Sequence, residues 1–151
     1  MPRPVDNKQS GFTLIELMMV MAIVSILMVV AIPVYSDYAT RTKVSEGLGF
    51  AAAAKTTVTE SYYNRGLIPS NNNEAGLPPP EAFDFEHISR LEVSTVPVPG
   101  SITITYRIPT LGSDNLLQLV PTEENGEMLW RCTPPPANGV SSNRLPANCR
   151  G

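Results

Sequence analysis

The hydrophobic and polar positions along this chain fall into two regimes. From Leu17 to Tyr35 there are 19 residues without a charge, interrupted only by Ser25 and Pro33. At about 1.5 Å per residue such a helix spans ~28 Å, close to the hydrocarbon thickness of a bilayer. Pro33 does not end it. From Ser36 to Tyr63 no further proline occurs, and Val44, Leu48, Ala51, Val58 and Tyr62 recur at intervals of 4, 3, 7 and 4 residues, a helical face. Lys55 falls on that stripe and works against it. Gly47 and Gly49 do too, each costing up to about 1 kcal/mol relative to alanine. The pattern predicts one helix of about 50 residues, kinked at Pro33. Its first half is apolar all round and its second half is amphipathic.

The rest of the chain reads differently. Residues 64–86 are rich in Asn, Pro and Gly and read as a loop. Strand signals follow at 87–96 and at 101–108, where Ile102, Ile104, Tyr106 and Ile108 share one face. A third covers 116–120, and the hairpin signal Asn125–Gly126 leads into a fourth at 127–133. The expected class is α+β: a long N-terminal helix packed on a four-stranded antiparallel sheet, with a C-terminal disulfide loop. The final stretch has no periodicity.

Charge and cysteine usage narrow the chemistry. The chain of 151 residues has a formal net charge of −3, and Arg3 and Lys8 precede the apolar run. That placement favours a cytoplasmic N-terminus with the body on the other side of the membrane. An acidic body argues against a dedicated nucleic-acid binder. Cys132 and Cys149 are the two cysteines and His87 the one histidine, too little for a zinc site or a Cys/His nucleophile pair. Two late cysteines beyond a membrane segment read as a disulfide. It would close a loop of about 18 residues, contributing roughly 3 kcal/mol in the chain-entropy model. Trp130, two residues before a cysteine at a strand end, reads as core, and His87 as a surface or loop-edge side chain. No metal and no cofactor are expected.

Glu16 is the anomaly. A carboxylate at the head of a membrane-length run costs free energy unless it finds a partner, and the nearest cations, Lys8 and Arg41, lie outside the run. A cleaved secretory signal fits less well than a retained helix. The run exceeds a usual signal core, opens with an acid and lacks an A-x-A site. A plain single-pass anchor leaves the acid unexplained.

The stretch GFTLIELMMVMAIVSILMVVAIPVY closely resembles the N-terminus of type IV pilins, the subunits of thin bacterial surface filaments. WRC at 130–132 and LPANCR at 145–150 resemble the C-terminal disulfide loop of type IVa major pilins. The resemblance implies a leader, residues 1–11, cut by a prepilin peptidase after Gly11, with methylation of the new N-terminus at Phe12. It implies a membrane and filament-core half-helix at 12–37 and a globular domain at 38–151. Glu16 becomes the assembly residue, meeting the Phe12 amine of a neighbouring subunit, and Pro33 a helix kink. Such a charge pair is strong in a low-dielectric core only when well formed, so it would act as a register device.

The function implied is that of a structural filament subunit, not an enzyme. It waits in the inner membrane, is handled by the pilus assembly machinery and polymerises with its own kind into a cell-surface pilus. Surface adhesion, twitching motility and DNA uptake belong to such filaments. The runner-up readings are a minor pilin or a type II secretion pseudopilin. A membrane-anchored extracytoplasmic enzyme or binding domain is the reading from a different class. Arg131, Arg144 and Arg150, with no acid from Met128 onward, form a candidate basic surface patch for anionic surfaces or DNA. The competing expectation is that these arginines flank strands and cap loop carbonyls.

Overall fold

The computed structural model describes residues 11–150. Residues 1–10, with Arg3 and Lys8 and most of the expected leader at 1–11, lie outside the described residues. Helix α1 runs from Leu14 to Arg65 and carries Pro33 inside it. Four strands follow: β1 (Ile88–Ser94), β2 (Ser101–Tyr106), β3 (Leu116–Glu124) and β4 (Glu127–Thr133). They form one antiparallel sheet in the order β1-β2-β3-β4. One long helix, a four-stranded antiparallel sheet and a disulfide in the C-terminal region are therefore all present, as expected. The chain separates into two compact units, one through Ser36 and one from Asp37 on.

In the first unit every side chain from Gly11 to Tyr35 is exposed. Here α1 is long and apolar enough to cross a membrane by length and composition.

In the second unit α1 buries Thr40, Val44, Gly47, Ala51, Ala54, Val58 and Ser61. Their intervals alternate between 4 and 3 residues, the repeat of a single helix face. Most of these side chains are small, and at Gly47 the Tyr106 ring packs directly on the helix. The expected stripe is corrected at its margins. Leu48 and Tyr62 are only half-buried, and Lys55 lies beside the buried face with its Nζ 5.7 Å from the centroid of the Trp130 ring. Gly47 belongs to the core face because Tyr106 fills the space a side chain would occupy.

The strand limits differ from the sequence pattern for local reasons. β1 ends at Ser94, where Ser94 Oγ donates to the Val96 carbonyl at 3.1 Å and the chain turns. β2 ends at Tyr106, and Ile108 stays buried beyond it, ahead of a 3-10 turn at Pro109–Leu111. β3 continues four residues past Val120, through Pro121. Its pairing with β2 reaches only Leu119, so beyond that point β3 has an open side that tolerates a proline. Asn125 and Gly126, with φ of 53° and 80°, make the tight turn into β4. Two adjacent positive φ values suit these two residue types.

The loop from 66 to 87 is tied down by side chains rather than by a ladder. Asn72, 4% exposed, donates to the carbonyls of Pro78 at 2.9 Å and Leu91 at 3.0 Å. Its Oδ1 accepts from Val93 N–H at 2.6 Å, so one amide occupies the outer edge of β1. Phe85 stacks on Phe50 of α1 with ring centroids 4.3 Å apart. Glu74 accepts from the backbone and hydroxyl of Ser70, at 2.8 and 2.7 Å, and these bonds hold its carboxyl below the usual pKa.

Candidate assembly site: the helix start and the disulfide segment

The site at the start of α1 is built by a local rule. Thr13 precedes the first helical residue and Glu16 stands three positions later. Thr13 N–H donates to Glu16 Oε2 at 3.0 Å, the Thr13 hydroxyl donates to the same oxygen at 2.8 Å, and Glu16 N–H reaches Thr13 Oγ1 at 3.4 Å. This is a reciprocal capping box, which satisfies donors that a helix start leaves free. The carboxylate that lacks a cation nearby in sequence thus has a partner on its own chain. Thr13 is a residue the sequence reading passed over. Its signal, T-x-x-E before an apolar run, was available.

Gly11 and Phe12 precede the helix, and the Phe12 side chain is 89% exposed. Pro33 lies well inside α1, where it supplies no N–H to the carbonyl of Val29.

The second cluster lies at the far end of the chain. Cys132 is the penultimate residue of β4 and Cys149 sits in a 3-10 turn at Ala147–Cys149, with an S–S bond of 2.01 Å between them. Inside the loop they enclose, Leu116 N–H donates to the Asn138 carbonyl at 2.8 Å and Val140 N–H to the Leu116 carbonyl at 2.9 Å. Val140 and Leu145 are buried, so the disulfide segment carries core of its own. Trp130 is half-buried and donates from Nε1 to Thr59 Oγ1 at 3.3 Å. His87 Nε2 stands 3.9 Å from Glu46 Oε2.

The three arginines of the C-terminal region have separate surroundings. Arg131 is exposed on β4. Arg144 Nε pairs with Asp37 Oδ1 at 3.3 Å and its Nη1 donates to the Thr110 carbonyl. Arg150 Nε donates to the Leu145 carbonyl at 3.0 Å. Two of the three therefore cap loop carbonyls.

Comparison with known proteins places this chain in a family. The profile of the Pilin family (bacterial filament) matches residues 40–150, and that of the prokaryotic N-terminal methylation motif matches residues 6–32. A type IV major pilin protein of Neisseria gonorrhoeae is 36% identical, the alignment covering 97% of this chain and 96% of the relative. A fimbrial protein of Neisseria meningitidis serogroup A is 35% identical over 97% of this chain and 96% of its own length. The fimbrial protein EcpC of Eikenella corrodens is 33% identical over 94% and 91% respectively. The chain belongs to the pilin family. It is a type IV pilin, a structural subunit rather than an enzyme.

Proposed function

We propose that this chain is the major subunit of a type IV pilus. It is made as an inner-membrane precursor, cut between Gly11 and Phe12 by a prepilin peptidase and methylated at Phe12. The domain limits of this reading are a leader at 1–11, a membrane and filament-core half-helix at 12–37 and a globular domain at 38–151. The carrying observation is the capped carboxylate of Glu16 at the head of an exposed, charge-free helix face. Thr13 engages Oε2, and Oε1 is offered to the Phe12 amine of a neighbouring subunit. In the dry interior of a filament an unmatched charge is heavily penalised, so the pair rejects subunits docked out of step. Pro33 kinks the helix in the apolar half.

The test takes two variants. Gly11→Val places a branched side chain where the peptidase needs close backbone access, so full-length precursor accumulates in the inner membrane. Glu16→Ala still inserts and is cut, because it removes an intramembrane charge, yet filament yield collapses. N-terminal sequencing and mass of sheared surface filaments give a chain that begins with methylated Phe12. Wild-type filaments from either variant would overturn the corresponding step.

The filament serves surface adhesion, twitching motility and DNA uptake, and the assembly machinery acts on it through the same subunit. Arg131 and Arg150, with Arg144, contribute to contact with anionic surfaces or DNA. Replacing Arg131 and Arg150 by Gln lowers salt-sensitive attachment in fully piliated cells. Unchanged attachment at low salt removes the arginines from this role.

A further inference from the structure

Met128 of β4 is held at two points by α1. Its backbone N–H donates to the Tyr63 hydroxyl at 3.2 Å, and that hydroxyl donates to the Gly126 carbonyl, also at 3.2 Å. One turn earlier on the helix, the Thr59 hydroxyl donates to Met128 Sδ at 3.6 Å and accepts from Trp130 Nε1 at 3.3 Å. A threonine hydroxyl has one proton to give, and here it goes to the sulfur. Methionine is ordinarily among the most adaptable side chains, with three rotatable bonds. In this place both its backbone and its thioether are fixed.

Solvent reaches the same side chain. Met128 is half-buried and lines an open groove of about 500 Å3 between α1 and β4, with Lys55, Thr56, Glu60, Tyr63 and Trp130 around it. A small peroxide enters such a space readily. The other methionines are Met1 and, in the apolar run, Met18, Met19, Met21 and Met28, so Met128 is the one thioether of the second unit. A thioether sulfur has two lone pairs, and oxygen added to one or to the other gives two different sulfoxide epimers. One lone pair of Met128 carries the Thr59 hydrogen bond.

We propose that Met128 is a stereoselective oxidation site for hydroperoxides. Oxygen is delivered to the lone pair that the Thr59 hydroxyl leaves free. The S–O bond forms as the O–O bond breaks, the sulfur gives up two electrons, and hydrogen peroxide departs as water with both its hydrogens. Attack on the other lone pair requires the hydrogen bond to open first and is slower for that reason. One sulfoxide epimer therefore forms in excess. Each stereospecific class of methionine sulfoxide reductase acts on one epimer, so one class erases this mark and the other leaves it. The mark turns an apolar wall of the groove, beside Trp130, into a polar one. The proposal concerns the folded chain by itself and does not depend on the filament reading.

The test treats the full chain, in peroxide-free detergent micelles, with dilute hydrogen peroxide. After digestion the Met128 peptide is separated into its two sulfoxide epimers by liquid chromatography with mass detection, and each is assigned with one reductase class. Folded wild type gives one epimer in roughly three- to tenfold excess, the range set by one modest hydrogen bond. The chain unfolded in guanidinium chloride gives nearly equal amounts. Thr59→Val removes the hydroxyl with little change of shape and brings the folded chain to the unfolded ratio. Thr59→Ala, a better helix former, repeats the measurement should the valine variant not fold. Thr59→Ser keeps the hydroxyl and keeps the excess. The proposal is overturned by a folded wild-type ratio equal to the unfolded one, or by a Met128 that resists peroxide until the chain unfolds. It is equally overturned by an excess that survives in a folded variant without the hydroxyl, or that is lost in Thr59→Ser.

Discussion

Tyr106 lies across Gly47. A Cβ placed on Gly47 would come 2.4 Å from Tyr106 Cε1, and the Tyr106 hydroxyl donates to the Val44 carbonyl at 2.8 Å on the same helix face. A glycine inside an exposed helix ordinarily gains about 0.5–1 kcal/mol on replacement by alanine. Here the sign reverses. Gly47→Ala is expected to lose roughly 1–3 kcal/mol through overpacking, while Gly49→Ala, which meets nothing within 4 Å, gains up to about 1. Thermal unfolding of a fragment beginning at Asp37, which holds all the buried helix positions, checks both.

The same tyrosine sets an alkaline limit. Burial pushes the Tyr106 phenol above its ordinary pKa of 10.0, and the neighbouring Glu123 carboxylate raises that of Tyr62. The folded state keeps these protons while the unfolded chain begins to lose them near 10, so the unfolded state then binds fewer protons. Stability is fully present below that pH and declines as pH rises past it. Tyr106→Phe should cost about 0.5–1.5 kcal/mol at neutral pH and make the alkaline decline shallower. Denaturant midpoints of the two proteins from pH 8 to 11 measure this; parallel curves would contradict it.

Asn72 is expected to be the most sensitive polar residue of the 66–87 loop. Asn72→Leu keeps the approximate volume but leaves Val93 N–H and the Leu91 and Pro78 carbonyls unmatched, at a cost of roughly 2–4 kcal/mol. Asn72→Asp keeps an acceptor for Val93 but turns a carboxylate oxygen toward the Pro78 and Leu91 carbonyls in a buried site, so at neutral pH its loss is at least as large. Equal stability of Asn72→Leu and the wild type would show that water replaces the amide.

Removing the disulfide has a predictable reach. Cys149→Ser is expected to lower stability by about 2–5 kcal/mol. Val140 and Leu145 should gain exposure first, since they sit inside the released loop, and limited proteolysis should cut between 134 and 148 before it cuts the sheet. Cutting that begins elsewhere would place the weak point outside this segment.

Sequence alone determined those features whose physics is local to the chain. A charge-free run of membrane length is visible as composition, and the Asn125–Gly126 turn follows from two positive φ values that those residue types accept. β4 agrees with the sequence pattern to the residue, at Glu127–Thr133, because its limits are set by that turn and by the prolines after it. The Thr13–Glu16 box is equally local, since the T-x-x-E spacing ahead of an apolar run spells it out. Tertiary structure decided the rest. A face of Thr40, Gly47, Ala54 and Ser61 does not look hydrophobic, and only burial in the folded unit makes it core. Gly47 reads as a helix-breaking defect until Tyr106, 59 positions away, is laid over it. Pro121 ends a strand by propensity, yet β3 runs through it because β2 has already stopped pairing. Arg144 counts as a free surface charge until Asp37, 107 residues earlier, is brought beside it. In each case the deciding energy is a contact between residues far apart in sequence, and no local pattern carries that information.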